Sequence, residues 1–160
     1  RKIINSMAFF DSKYLLFISM DCKPKIIFLC TGNSCRSQMA EGWARHLKGN
    51  IIEPYSAGVI AQRLNTRAVR VMKETGVDIS QHFSKDIESL IDISFDHVIT
   101  VCSHAKQLCP VFPRKTRVTH VSFDDPPSLA KFAKSEEEAL SHFRRVRDEI
   151  RIFIEKLPLK

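Results

Sequence analysis

Lys25-Ile-Ile-Phe-Leu29 is a short unbroken apolar run that stops abruptly at Cys30-Thr-Gly-Asn-Ser-Cys35, the pattern of a strand buried on both faces and followed by a loop. Beyond the loop, Met39, Ala40, Trp43, Ala44 and Leu47 recur at helical spacing, which predicts a helix closed by Gly49. Ile51 to Ser56 reads as a second strand, and Asn65 caps a second helix that carries Ala68, Val69, Met72 and Thr75 and ends at Gly76. Ser84 to Leu90 suits a short helix, Asp96 to Val101 a third strand and Val118 to Phe123 a fourth. In the last helix, Ser135 and Glu138 form a capping box, and Ala139, Phe143, Val146, Ile150, Phe153 and Leu157 step by three or four residues. This alternation predicts an α/β domain: a four-stranded parallel sheet flanked by helices in three layers. Its binding crevice lies beyond the carboxyl ends of the strands, where the first loop sits.

With 160 residues, 44% of them hydrophobic, the chain has the profile of one compact domain, which excludes disordered and fibrous classes. Apolar runs such as Tyr14 to Met20 fall short of the roughly 20 residues a membrane span needs, so no membrane association is expected. Residues 1–22 read as an N-terminal extension, from translated upstream sequence or a non-native remnant, and residues 23–160 as the domain. Asp11 and Lys13 interrupt the extension's apolar runs and no A-x-A site follows, against a signal peptide. The net charge is +7; residues 1–19 carry three positive charges and one negative, leaving +5 elsewhere. With no basic run beyond Arg144-Arg145, small anions fit better than nucleic acid. Five cysteines, at 22, 30, 35, 102 and 109, are an odd number in a domain large enough to build its own core. They read as free thiols in a reducing cytoplasm, and their spacing is not that of zinc knuckles.

Cys30 and Arg36 stand six residues apart across a strand-to-helix turn, so the backbone N–H groups of Thr31, Gly32, Asn33, Ser34, Cys35, Arg36 and Ser37 can converge on one anion. Arg36 adds a planar fork of donors, and the same positive field favours a Cys30 thiolate, with Ser37 able to donate a further hydrogen bond. Gly32 permits a positive φ or a close backbone approach, and Asn33 tolerates left-handed geometry. The plain alternative is a structural cysteine beside a surface arginine; the position at a strand-helix junction argues against it. With its Gly, Asn and Ser, this loop resembles that of the low-molecular-weight tyrosine phosphatase superfamily. The longer stretch Cys30-Thr-Gly-Asn-Ser-Cys-Arg-Ser-Gln-Met-Ala-Glu-Gly-Trp43 resembles that superfamily's thioredoxin-coupled arsenate reductases. Tyr55-Ser-Ala-Gly58, Gly76-Val-Asp-Ile-Ser80, Val101-Cys-Ser-His-Ala-Lys-Gln-Leu-Cys-Pro110, Phe123-Asp-Asp-Pro126 and Phe143-Arg-Arg-Val-Arg-Asp-Glu-Ile150 extend the likeness from Lys25 to Ile154.

The resemblance implies a three-cysteine relay. Cys30 attacks arsenate, Cys102 attacks Cys30 and expels arsenite, and Cys109 attacks Cys102, leaving a Cys102–Cys109 disulfide for thioredoxin to reduce. It implies no tightly bound organic cofactor, phosphate or sulfate as further guests of the loop, a monomer, and a role in arsenic detoxification. Seven positions along a straight helix amount to about 10.5 Å of rise, beyond the reach of a disulfide, so the segment from Cys102 to Cys109 is expected to unwind or loop out. Pro110 helps end any regular structure there. His104 and Lys106 could lower neighbouring thiol pKa values, or simply be solvated. Asp125, directly before Pro126, matches the general acid; Asp124 is its competitor, and an Asx turn the structural alternative. Pro127 and Ser128 follow where tyrosine phosphatases place ring-gripping aromatics, which lowers the reading as a phosphatase of phosphate monoesters, the main alternative. A non-catalytic thiol sensor is the third reading. Cys35 points by helical phase to the core, and Cys22 is incidental. Some relatives hold a potassium ion with residues matching Asn33, Glu41, Ser56 and Asp78; bracing hydrogen bonds without metal are the alternative.

Overall fold

The structure is a computed structural model that describes residues 23–157. The expected extension, residues 1–22 with Cys22, lies outside the described residues. Strand β1, Lys25–Cys30, is buried from Ile26 onward because it is paired on both sides: with β2, Glu53–Gly58, and with β3, His97–Thr100. β4, Arg117–His120, pairs with β3 and completes a fully parallel sheet in the order β2-β1-β3-β4. The chain thus leaves β1 for one side and returns for the other. The switch point between β1 and β3 opens a crevice at their carboxyl ends, where Leu29 is level with Thr100. Cys30 and Cys102, far apart in sequence, therefore emerge side by side.

Helices α1, Arg36–Lys48, and α5, Glu136–Lys156, pack on one face of the sheet, where Met39, Trp43, Leu140 and Phe143 meet Ile26 and Phe28. Helix α2, Thr66–Lys73, joins them through Val71 and Met72; α3, Ser103–Gln107, and α4, Pro126–Ala130, are short. On the opposite face, Ile27, Leu29, Ala57, Phe95 and Val98 are covered by Ile87, Leu90, Ile93, Cys109 and Phe112. Asn65 caps α2 as expected, accepting from the N–H groups of Arg67 and Ala68 at 2.9 and 3.2 Å, and Gly76 ends the turn beyond it with φ +81°. Ser135 accepts from Glu138 N–H at 3.1 Å, but the Glu138 carboxylate accepts from Lys134 N–H instead of closing the box on Ser135.

Three elements differ from expectation, each for a tertiary reason. The helix predicted over Ser84–Leu90 shrinks to a 3-10 turn, Ile87–Leu90. Residues before it are held extended, with Lys85 N–H on Asn33 Oδ1 at 2.8 Å and Lys85 C=O accepting from Gly58 N–H at 2.8 Å. The second strand begins two residues late because the N–H groups of Ile51 and Ile52 turn back to Lys48 C=O. The fourth ends at His120, three residues early, and the chain from Val121 to Asp125 crosses to the crevice.

Candidate active site

The loop Cys30–Ser37 is braced from outside, and this aims it. The carbonyls of Cys30, Thr31, Gly32 and Ser34 accept from the N–H groups of Val59, Ile60, Gln62 and Asn65, at 3.2, 3.1, 2.8 and 2.9 Å. The carbonyl of Asn33 accepts from Ser84 Oγ at 2.6 Å. With the carbonyls engaged outward, the intervening N–H groups are free to face inward, the arrangement that makes a nest for an anion. Asn33 takes the left-handed conformation, φ 48°, that the reading of the loop left open to Gly32. Gly32 serves the other use, close approach: a Cβ there would lie 2.7 Å from the Gln62 side chain. Gly58 is tighter, since a Cβ on it would lie 2.8 Å from Asn33 N and 2.9 Å from Thr31 O.

Cys30 Sγ, buried at the end of β1, accepts from Asn33 N–H at 3.0 Å and lies 2.8 Å from Ser37 Oγ. Asn33 is fully buried and its side chain is the hub: Nδ2 donates to Ser37 Oγ at 2.9 Å, and Oδ1 accepts from Gln38 Nε2 at 3.0 Å as well as from Lys85 N–H. Arg36 is held flat across the crevice, donating to Phe123 C=O at 3.0 Å and pairing with Asp125 Oδ1 at 3.0 Å. Asp125 accepts a further bond from Ser128 Oγ. Asp124 turns away to pair with Arg145 at 2.8 Å, so of the two candidate acids only Asp125 lines the cavity, about 470 Å³, that also holds Cys30, Arg36 and His104. Cys35 sits in the core, where burial drives its thiol far above the ordinary range; only its backbone serves the loop.

The other two cysteines flank α3. Cys102 is buried in the same cluster as Cys30, caps the helix by accepting from Ala105 N–H at 3.3 Å, and has Thr31 Oγ1 at 3.4 Å. Cys109 packs beside Phe112 on the opposite sheet face, where partial burial raises its thiol pKa. Cys30, Cys35, Cys102 and Cys109 are all free thiols. A larger apolar cavity, about 570 Å³, lies between the 3-10 turn and the segment after Cys109; Leu90, Phe95, Leu108 and Phe112 line it.

The residues expected to hold potassium do not assemble into an ion site. Glu41 receives Ser56 Oγ, pairs with Arg45 at 2.7 Å and has Lys85 Nζ at 3.6 Å, so two cations already balance its buried carboxylate. Asp78 is exposed and accepts from Ser80 N–H at 2.8 Å. Asn33, Glu41 and Ser56 join instead in a hydrogen-bonded brace that passes through Lys85, and the donor set does not fit potassium. Lys85, Gln62 and Ser84 are the site residues that sequence reasoning missed. No local motif marks them, because each acts through a long-range bond to the loop.

A buried thiol that accepts from a loop N–H, beside a fixed arginine at the switch point of a parallel sheet, is an arrangement able to hold a tetrahedral oxyanion and present a cysteine to it. The chain belongs to the low molecular weight phosphotyrosine protein phosphatase family, whose sequence pattern matches residues 25–158. It is 48% identical over 128 residues to an arsenate reductase of Halalkalibacterium halodurans, covering 80% of this chain and 90% of that protein. It is 50% identical over 125 residues to an arsenate reductase of Bacillus subtilis, covering 78% and 88%. A solved structure described as an arsenate reductase in the phosphate binding state matches with a TM-score of 0.66 and 33% identity, over 82% of this chain and 94% of that one.

Proposed function

We propose that the protein reduces arsenate to arsenite by passing oxidation through Cys30, Cys102 and Cys109 to thioredoxin. The observation that carries this reading is the buried, unpaired Cys102 thiol, one hydroxyl away from the anion loop: a phosphatase has no chemical use for it, and a reductase needs it. The similarity to proteins named arsenate reductase over most of the chain supports the same choice.

Arsenate sits on the N–H groups of the loop and on Arg36. The Cys30 thiolate attacks arsenic, an As–S bond forms, and one oxygen departs as water after taking a proton from Asp125. The Cys102 thiolate then attacks Cys30 Sγ; the As–S bond breaks, its electron pair stays on arsenic, and arsenite leaves as a Cys30–Cys102 disulfide forms. Cys109 attacks Cys102 Sγ, freeing the Cys30 thiolate, and the Cys102–Cys109 disulfide is reduced by the dithiol of thioredoxin in a cytoplasmic setting. Because Cys102 and Cys109 start on opposite sheet faces, this last exchange requires α3 to unwind.

Arsenite release, measured with thioredoxin, thioredoxin reductase and NADPH, tests the reading. Wild-type turnover should be lost in each of Cys30→Ser, Cys102→Ser and Cys109→Ser. Hydrolysis of p-nitrophenyl phosphate that survives Cys102→Ser, with no arsenate-dependent oxidation of thioredoxin by the wild type, would instead make the protein a phosphatase.

A further inference from the structure

The cavity over the anion loop is larger than one tetrahedral oxyanion fills. Its volume, about 470 Å³, lies in the range that takes small organic ligands. Cys30, Cys35 and the mostly buried Arg36 form its inner side, and Gln62, Arg63 and His104 its exposed side. No Phe, Tyr or Trp is among the described residues that line it, so an aryl group entering there finds no such ring to stack on.

The two arginines of this cavity differ in what they are free to do. Arg36 is committed, donating to Phe123 C=O at 3.0 Å and pairing with Asp125 at 3.0 Å. Arg63 has no hydrogen-bond or ion-pair partner among the described residues. Asp125 is the one carboxylate in the described lining, and Arg36 and Ser128 already hold it, so Arg63 has no counter-charge at the cavity. Its backbone is nonetheless fixed. Gln62 N–H donates to Gly32 C=O at 2.8 Å and Asn65 N–H to Ser34 C=O at 2.9 Å, which ties the chain to the anion loop on both sides of Arg63. A guanidinium stays charged at neutral pH and offers a planar fork of donors. An uncommitted cation therefore stands at a set place on the rim of an oxyanion site.

We propose that Arg63 makes the exposed side of the cavity a second anion subsite, for small molecules with a tetrahedral oxyanion head and a carboxylate at the other end. The head sits on the loop N–H groups and Arg36, and the carboxylate pairs with the Arg63 fork. Such a ligand excludes arsenate from the loop. Its binding goes beyond arsenate reduction and uses neither Cys102 nor Cys109.

Calorimetry on the reduced full-length protein near neutral pH tests this with phosphonopropionate, whose carboxylate lies at the far end of the chain, and with the corresponding amide, which keeps the size and the head but loses that charge. The wild type should bind the acid about fivefold more tightly than the amide, the upper range for an ion pair open to solvent. Arg63→Gln should bind the two alike, and its loss for the acid should exceed its loss for inorganic phosphate by the same factor. Arg63→Lys should keep part of the preference. Equal binding of acid and amide by the wild type, or a preference that survives in Arg63→Gln, would overturn the proposal. So would an equal loss for acid and phosphate, which would make Arg63 a source of general attraction and not a subsite. Failure of the thiol relay would leave these affinities untouched, since no turnover is measured.

Discussion

The surroundings of the Cys30 thiol are assembled largely by one residue. Asn33 supplies an N–H to Cys30 Sγ, adopts a left-handed backbone few residue types tolerate, and fixes Ser37 through its amide. Arg36 draws Asp125 to the cavity, whereas Arg145 holds Asp124 away from it. Asp125→Asn is therefore expected to lower arsenate turnover by about a hundredfold while phosphate still binds, and Asp124→Asn to change turnover less than about twofold, as steady-state rates and calorimetry will read. His97 carries a separate consequence, for stability. Burial, with Arg117 nearby, pushes its imidazole down to about 4, and its Nε2 meets Thr119 Oγ1 at 2.8 Å. The unfolded chain binds that proton near pH 6.5, so the contribution of His97 to stability is complete above about 6.5 and is lost as pH falls towards 4. The melting temperature should decline over that window, and His97→Gln should flatten the decline.

At the scale of elements, the loop-to-helix junctions carry function unequally. α2 stands close behind the site, and Asn65 both caps it and donates its N–H to Ser34 C=O. Asn65→Ala should cost about 1 kcal/mol in denaturant unfolding, the usual worth of an N-cap, without abolishing activity, because the backbone bond to Ser34 survives. In the proposed relay, α3 is the element that must change. Its five residues separate thiols that belong to opposite faces of the sheet, and a disulfide between them cannot form while the helix is intact. Amide hydrogen exchange across residues 102–110 should speed up when the protein is oxidised and recover when thioredoxin reduces it. Protection that stays unchanged through the cycle would exclude unwinding.

Across the whole molecule, the sheet and the anion loop are one piece of packing. β2 brings Gly58 against the backbone of Thr31 to Asn33 with no room for a methyl group, and neither side is a flexible side chain that could yield. Gly58→Ala should therefore destabilise the fold by about 1–3 kcal/mol and weaken phosphate binding together, in thermal melts and in calorimetry; loss of one without the other would separate loop from sheet.

The strand, loop and helix from Lys25 to Lys48 were legible in the amino-acid order, and so were the thiol and the arginine of the anion site. A strand-helix turn takes its atoms from one stretch of chain, and its shape follows from local turn chemistry. The last helix was equally legible, because its apolar stripe is a local period. Residues 84–86 were misread as helical, since bonds to Asn33 and Gly58 outweigh a weak local preference. The approach of Cys102 to Thr31, the choice of Asp125 over Asp124 and the place of Lys85 beside Glu41 were settled only in three dimensions. They depend on the pairing of β1 with β3 and on loops that return from distant parts of the chain. Such contacts arise from the register and packing of the whole sheet, and leave no pattern in the residues on either side of them.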